Sequence, residues 1–146
     1  MMQKTNPASD AKAYLLQVKI YDEHINNKLE ELQRLKDLSL KITSSLRPDV
    51  VSTSGNHDKI GDVVAKIVDL EADINQAVDR YVDKKREVSK LLEKIRDPDQ
   101  LEVLYKRYFH HENWEQIACE MGYTFRNVCY IHGRALQAVA ELMKEG

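Results

Sequence analysis

The sequence predicts an all-α protein: a long antiparallel helical hairpin of coiled-coil type, followed by a small helix-turn-helix domain. Three observations carry this reading. Two apolar seams step alternately by four and three residues, which is the spacing of paired helices rather than of strands. A polar, Gly- and Ser-containing stretch, Arg47 to Lys59, separates the seams and reads as a loop. Beyond Asp97 a series of helix-start and helix-stop residues marks out three shorter helices.

Composition supports long exposed helices over one large core. Of 146 residues 32 % are charged and 42 % hydrophobic, with only five Gly and three Pro, a mixture that favours helix surface. The two cysteines are too few for a disulfide framework, and no secretory apolar segment opens the chain. No apolar run approaches ~20 residues, so no membrane span is expected. These cues imply a cytoplasmic protein with free thiols.

Residues 1–9 read as a flexible start, with Ser9 or Asp10 as candidate N-cap. The hairpin is assigned to residues 10–96. Its first seam is Tyr14, Val18, Tyr21, Ile25, Lys28, Leu32, Leu35, Ser39, Ile42 and Leu46. Eight of these ten are apolar, which separates a true seam from chance. Pro48 disfavours helix at Arg47 and sets the expected end near Leu46. The loop is placed at about 47–58. The second seam is Ile60, Val63, Ile67, Leu70, Ile74, Ala77, Tyr81, Lys84, Val88, Leu91 and Ile95. A helix over about 58–96 is on the order of 55–60 Å long. Two seams of matched length on a short loop fold back as an antiparallel pair. Leu29 and Leu40 lie eleven apart, three helical turns, on a common flank of the first helix. They are either scattered exposed leucines or a second contact surface, suited to a homodimer or to the C-terminal domain.

Asp97-Pro98-Asp99-Gln100 breaks the second long helix and starts the next, with Asp97 as N-cap and Pro98 at the first helical position. A domain boundary is expected here, giving a helix-turn-helix domain over residues 97–146. Leu101, Leu104, Tyr105 and Tyr108 face a core, with Lys106 and Arg107 turned away from it. Asn113 and Gln116 form a second capping-box pattern, and Trp114, Ile117, Ala118 and Met121 make the next buried stripe. Gly122 supplies the left-handed stop. Thr124 can cap the third helix, whose buried face is Val128, Ile131, Ala135, Val139 and Leu142.

The opposite face of the third helix carries Arg126, Asn127, Tyr130, Gly133, Arg134 and Gln137. Arg reads guanine edges or phosphate, Asn reads adenine, and Tyr meets phosphate or stacks. Gly133 costs a helix interior ~1 kcal/mol against Ala, and close approach of a phosphate backbone or another helix would account for it. The expected DNA contacts are Arg126, Asn127, Tyr130, Arg134 and Gln137, with Thr124, Lys106 and Arg107 beside them. Charge weighs on the other side. Residues 97–146 hold five cations against eight carboxylates, −3 with histidines neutral, whereas tight nucleic-acid binders usually carry a basic excess.

The order YKRYF…NWEQIACEMGYTFRNVCYIHGRAL resembles the C-terminal promoter-reading domain of bacterial sigma factors, their region four. Ile117-Ala118, Met121-Gly122, Thr124, Val128, Ile131 and Arg134-Ala135-Leu136 fall into register with its pattern. The outward positions at the start of that family's recognition helix are rich in Arg, Glu and Gln. Here they hold Phe125, Arg126, Asn127, Cys129 and Tyr130. The whole chain is also similar to short phage and mobile-element proteins of Gram-positive bacteria, and to some phage late-gene transcription regulators. That likeness rests on LQRLKDLSLKITSSL (Leu32 to Leu46), DKIGDVVAKIVDLE (Asp58 to Glu71) and the C-terminal domain. It implies a DNA-binding transcription regulator, with double-stranded DNA and host RNA polymerase as partners. The alternative is a protein-interaction module that contacts RNA polymerase or another partner without binding DNA by itself.

Other chemistries find little support. His110, His111, Cys119, Cys129 and His132 include one usable i,i+3 pair but no second close pair of zinc ligands. No nucleophile elbow, phosphate loop or metal-binding helix motif occurs. No enzyme activity, cofactor or metal is expected.

Overall fold

The computed structural model describes residues 6–45 and 54–145. Among them the chain is all-α: α1 (Pro7–Ser44), α2 (Ser54–Leu92), α3 (Pro98–Leu104), a π turn (Tyr105–Phe109), α4 (Trp114–Met121) and α5 (Phe125–Glu145). No described helix is long and apolar enough to cross a membrane.

The ends of the long helices differ from expectation. α1 starts at Pro7, before Ser9 and Asp10, because Asn6 is the cap. Its side-chain oxygen accepts from the Ala8 amide at 3.1 Å, and its carbonyl accepts from the Asp10 amide at 3.1 Å. Pro7 suits the first helical position, where no amide hydrogen is needed. α2 starts at Ser54, inside the stretch expected to be loop. The helix runs back through Ser54, Gly55, Asn56 and His57, although glycine alone costs a helix about 1 kcal/mol. Residues 1–5 of the expected flexible start and 46–53 of the expected loop, including the seam position Leu46, lie outside the described residues. α2 ends at Leu92, four residues short of the expected 96. The Lys94 and Ile95 amides close a tight turn on the Leu91 and Leu92 carbonyls.

The chain divides into two compact units. One comprises residues up to Tyr21 and from Tyr81 onward; the other is Asp22–Arg80. The division falls within the long helices, not at Asp97. The reason is the core. Ala11, Leu15 and Val18 of α1 and Val88, Leu92 and Ile95 at the end of α2 share one buried cluster with Leu104, Tyr108, Leu136 and Val139. Each such aliphatic side chain, fully withdrawn from water, contributes about 1.5–3 kcal/mol.

The Asp22–Arg80 unit is a two-helix ribbon. Its seam residues are its least exposed: Ile25, Val63, Ile74 and Ala77 are buried, and Leu32, Leu35, Ile67 and Leu70 half-buried. Lys28, polar in its seam, reaches Asp73 at 4.0 Å, and Lys36 reaches Glu71 at 3.9 Å. Both pairs run from α1 to α2. Within α1, Arg34 pairs with Glu31 at 3.4 Å. In the other unit Lys84, the polar exception of the second seam, bonds Glu87 at 2.9 Å and lies 5.6 Å from the Tyr14 ring centroid. The Tyr14 hydroxyl donates to the same Glu87 carboxylate at 2.9 Å.

Candidate nucleic-acid interface

The helix-turn-helix is set by local signals. Asp97 accepts from the Asp99 and Gln100 amides at 2.9 and 3.2 Å and starts α3. Asn113 and Gln116 close a reciprocal capping box on α4, at 2.8 and 3.1 Å. α4 stops at Gly122, whose φ of 70° is left-handed. There the Tyr123 amide reaches back to the Ala118 carbonyl at 3.0 Å, satisfying an otherwise orphaned acceptor. Thr124 Oγ1 accepts from the Asn127 amide at 3.1 Å and starts α5. A turn of three residues between α4 and α5 is the length a helix-turn-helix uses.

The core beneath this turn is Val103, Ile117, Ala118 and Val128, with Trp114, Met121 and Ile131 packed against it. Sequence periodicity found all but Val103. α5 also buries His132, Leu136 and Ala140, a wider inner face than the five expected positions.

His132 is the buried polar group. Its Nε2 lies 2.7 Å from the Tyr108 hydroxyl, and its ring meets the Trp114 ring edge-on at 4.5 Å between centroids. Burial first, then the charges of Lys12 and Arg107, push its pKa down to about 4. Burial likewise pushes Tyr108 up to about 12. The neutral imidazole and the protonated phenol therefore share one hydrogen bond inside the unit. Tyr108 sits in the π turn, where the His110 amide reaches the Tyr105 carbonyl at 3.0 Å, five residues back. Tyr105 and Tyr108 both pack against the larger core cluster. The turn is followed by His111 at φ 57°, a left-handed conformation that costs a non-glycine residue about 1 kcal/mol.

The eight expected DNA contacts separate into two groups. Arg126, Asn127, Tyr130, Arg134 and Gln137 are all exposed on one side of α5, with Thr124 at its start. Arg134 is already arranged: its guanidinium donates to the Tyr130 hydroxyl at 3.2 Å and lies 5.8 Å from that ring. Lys106 and Arg107 are held elsewhere. Lys106 bonds Glu120 and lies 3.9 Å from Glu102. Arg107 donates to the Glu112 carbonyl at 3.0 Å and stacks over Trp114 at 4.4 Å. These two cations tie α4 and the approach to it to the π turn.

The distribution of carboxylates is the feature that sequence reading passed over. From Met121 to Ala140 there is no Asp or Glu at all. The acidic residues of the C-terminal region sit before or after that run, and four of the eight have work within the fold. Asp97 caps α3, Asp99 accepts from the Tyr123 hydroxyl at 2.8 Å, and Glu102 and Glu120 flank Lys106. From Phe125 to Ala140 the outer face of α5 therefore carries Arg126 and Arg134 with no carboxylate, and Glu141 and Glu145 follow on the same face at the end of the helix. A simple scan for the longest carboxylate-free run would have found it.

Gly133 lies in the middle of this face. A Cβ built there meets no atom within 4 Å, so nothing inside the fold requires glycine. Cys119 and Cys129 are free and exposed. Among the described residues no group of three His, Cys, Asp or Glu is placed to hold a metal ion.

Residues 40–142 match the family model described as "Protein of unknown function (DUF1492)". The chain belongs to this family. The DUF1492 match runs from the last turn of α1 through most of α5 and so includes the whole helix-turn-helix. No curated protein and no solved structure matches the chain.

Proposed function

We propose that this protein binds double-stranded DNA through the outer face of α5 and acts in the cytoplasm as a transcription regulator. One observation carries the reading: the exposed face of α5 from Phe125 to Ala140, free of carboxylates and bearing Arg126, Asn127, Arg134 and Gln137, presented by a three-residue turn. α5 enters the major groove, Asn127 and Arg126 meet base edges near its start, and Arg134 meets phosphate. The likeness to sigma region four and to phage late-gene regulators supports a role at promoters, alongside RNA polymerase. Fluorescence anisotropy with labelled duplex DNA at low salt tests it. Arg126→Ala and Arg134→Ala each weaken binding by about 1–3 kcal/mol while helicity is unchanged. Unchanged affinity in both variants rejects α5 as the reader.

A second reading is favoured by the aromatic part of the same face. Phe125 and Tyr130 are 55 % and 62 % exposed, a composition at home in protein interfaces. On this reading α5 docks on a protein, such as an RNA polymerase subunit, without autonomous DNA binding. Absence of duplex binding at low salt, with retention of purified polymerase, selects it.

A further inference from the structure

The Asp22–Arg80 unit has a second apolar stripe besides its seam. On α2 it runs Val64, Val68, Glu71, Asn75 and Val78, in steps of four, three, four and three. Its valines are 46 %, 58 % and 38 % exposed. No described residue of the unit covers them. The Lys36–Glu71 ion pair places the Lys36 side of α1 alongside this stripe. Leu29 and Leu40, seven and four residues from Lys36, lie on that side of α1 and are exposed. The two flanks make one apolar face with a polar centre.

We propose that this face docks a second copy of the chain, antiparallel and in a fixed register. The spacing first argues for a helix as occupant: a four–three repeat is a knobs-into-holes pitch. The order of residue types then argues for self-pairing. In the sequence the repeat continues to Val82, so the series reads two valines, Glu71 and Asn75, two valines. It is the same in side-chain class from either end, with its centre at Asp73. A two-fold axis there sets Val68 against the partner's Val78, and Glu71 against the partner's Asn75. An Asn amide donates to a carboxylate, so the polar centre is complementary to itself, as an isologous contact requires. Out of register, Glu71 would face valine, a burial that costs a carboxylate its hydration. A contact from Val64 to Val82, about 27 Å long and two helices wide, covers roughly 550 Å² on each copy. That total lies below the standard interface size, so the dimer is a reversible one that forms as concentration rises.

Sedimentation velocity of the full chain across a wide concentration range tests this. A concentration-dependent monomer–dimer equilibrium is expected. Val68→Asp and Val78→Asp each weaken it at least tenfold, with helicity and melting temperature unchanged, since both side chains are exposed. A chain that stays monomeric at all concentrations overturns the proposal, as does a dimer that neither variant weakens. Register has its own readout. With Cys119→Ser and Cys129→Ser as background, chains carrying Val68→Cys and chains carrying Val78→Cys should cross-link to each other on mild oxidation. Preferential cross-linking of Val68→Cys chains among themselves overturns the antiparallel arrangement.

Discussion

The two compact units bury their side chains to very different depths. Among the described residues of the Asp22–Arg80 ribbon only Ile25, Val63, Ile74 and Ala77 are buried, and most seam residues stay half-exposed. In the other unit Leu15, Val18, Val88, Leu92, Leu104 and Val139 have no exposed surface at all. The contrast is geometric. Two helices touch along one line, and each side chain on it keeps an open flank. Where α3, α4 and α5 join the ends of the long helices, a side chain can be enclosed from every direction. The ribbon is thus left with exposed apolar surface, while the enclosed unit holds a neutral histidine at its core.

Leu15→Ala against Leu32→Ala puts the largest effect on that contrast. Leu15 is fully enclosed and Leu32 half-buried. The first should cost about 2–5 kcal/mol and the second about 1 kcal/mol, in proportion to the area lost. Urea unfolding followed by circular dichroism reads both, and fluorescence of Trp114, the single tryptophan, follows the enclosed unit separately. Equal losses would erase the distinction between the units.

The next effect is pH dependence in the enclosed unit. His132 is held down to about 4, below its ordinary 6.5. The unfolded chain therefore takes up the proton first as pH falls. The stability from keeping His132 neutral is complete above about pH 6.5 and is lost as pH drops toward 4, by at most roughly 3 kcal/mol. His132→Leu should flatten the dependence of unfolding free energy on pH between those values. An unchanged slope would mean that the imidazole titrates freely in the fold.

A smaller effect distinguishes an idle helix face from a working one. Gly133→Ala has open space for the new methyl and should stabilise α5 by about 0.5–1 kcal/mol. If duplex DNA passes close to that backbone, the same variant should bind it more weakly. A variant that gains stability and loses no affinity would show that the glycine serves no approach.

What was legible in the sequence follows the range of the interactions. The seams were legible because a period of three and four repeats at every turn, and Lys28 and Lys84 broke it without moving it. The caps at Asp97, Asn113, Gly122 and Thr124 were legible because each acts within three or four residues. His132 was not: its burial depends on Tyr108 and Trp114, 24 and 18 positions away in sequence, and a histidine near a cysteine reads first as a metal ligand. The π turn has no local signal, since YKRYF holds no glycine or proline to mark it. Lys106 and Arg107 read as free cations because Glu120 and Trp114 reach them only through the fold. The shared core of Leu15, Leu92 and Leu136 crosses the break at Asp97 for the same reason.

The central claim, that α5 is a DNA-reading helix, is tested most directly by the salt dependence of duplex binding for the full chain and three variants. The account predicts that log affinity falls linearly with log salt concentration. Arg134→Ala should make that slope shallower by about one, and Arg126→Ala should lower affinity with little change of slope, because it meets a base edge. Lys106→Ala should leave the slope unchanged, because Lys106 is bound to Glu120. Absence of duplex binding at low salt, or a slope that responds to Lys106→Ala and not to Arg134→Ala, would contradict it.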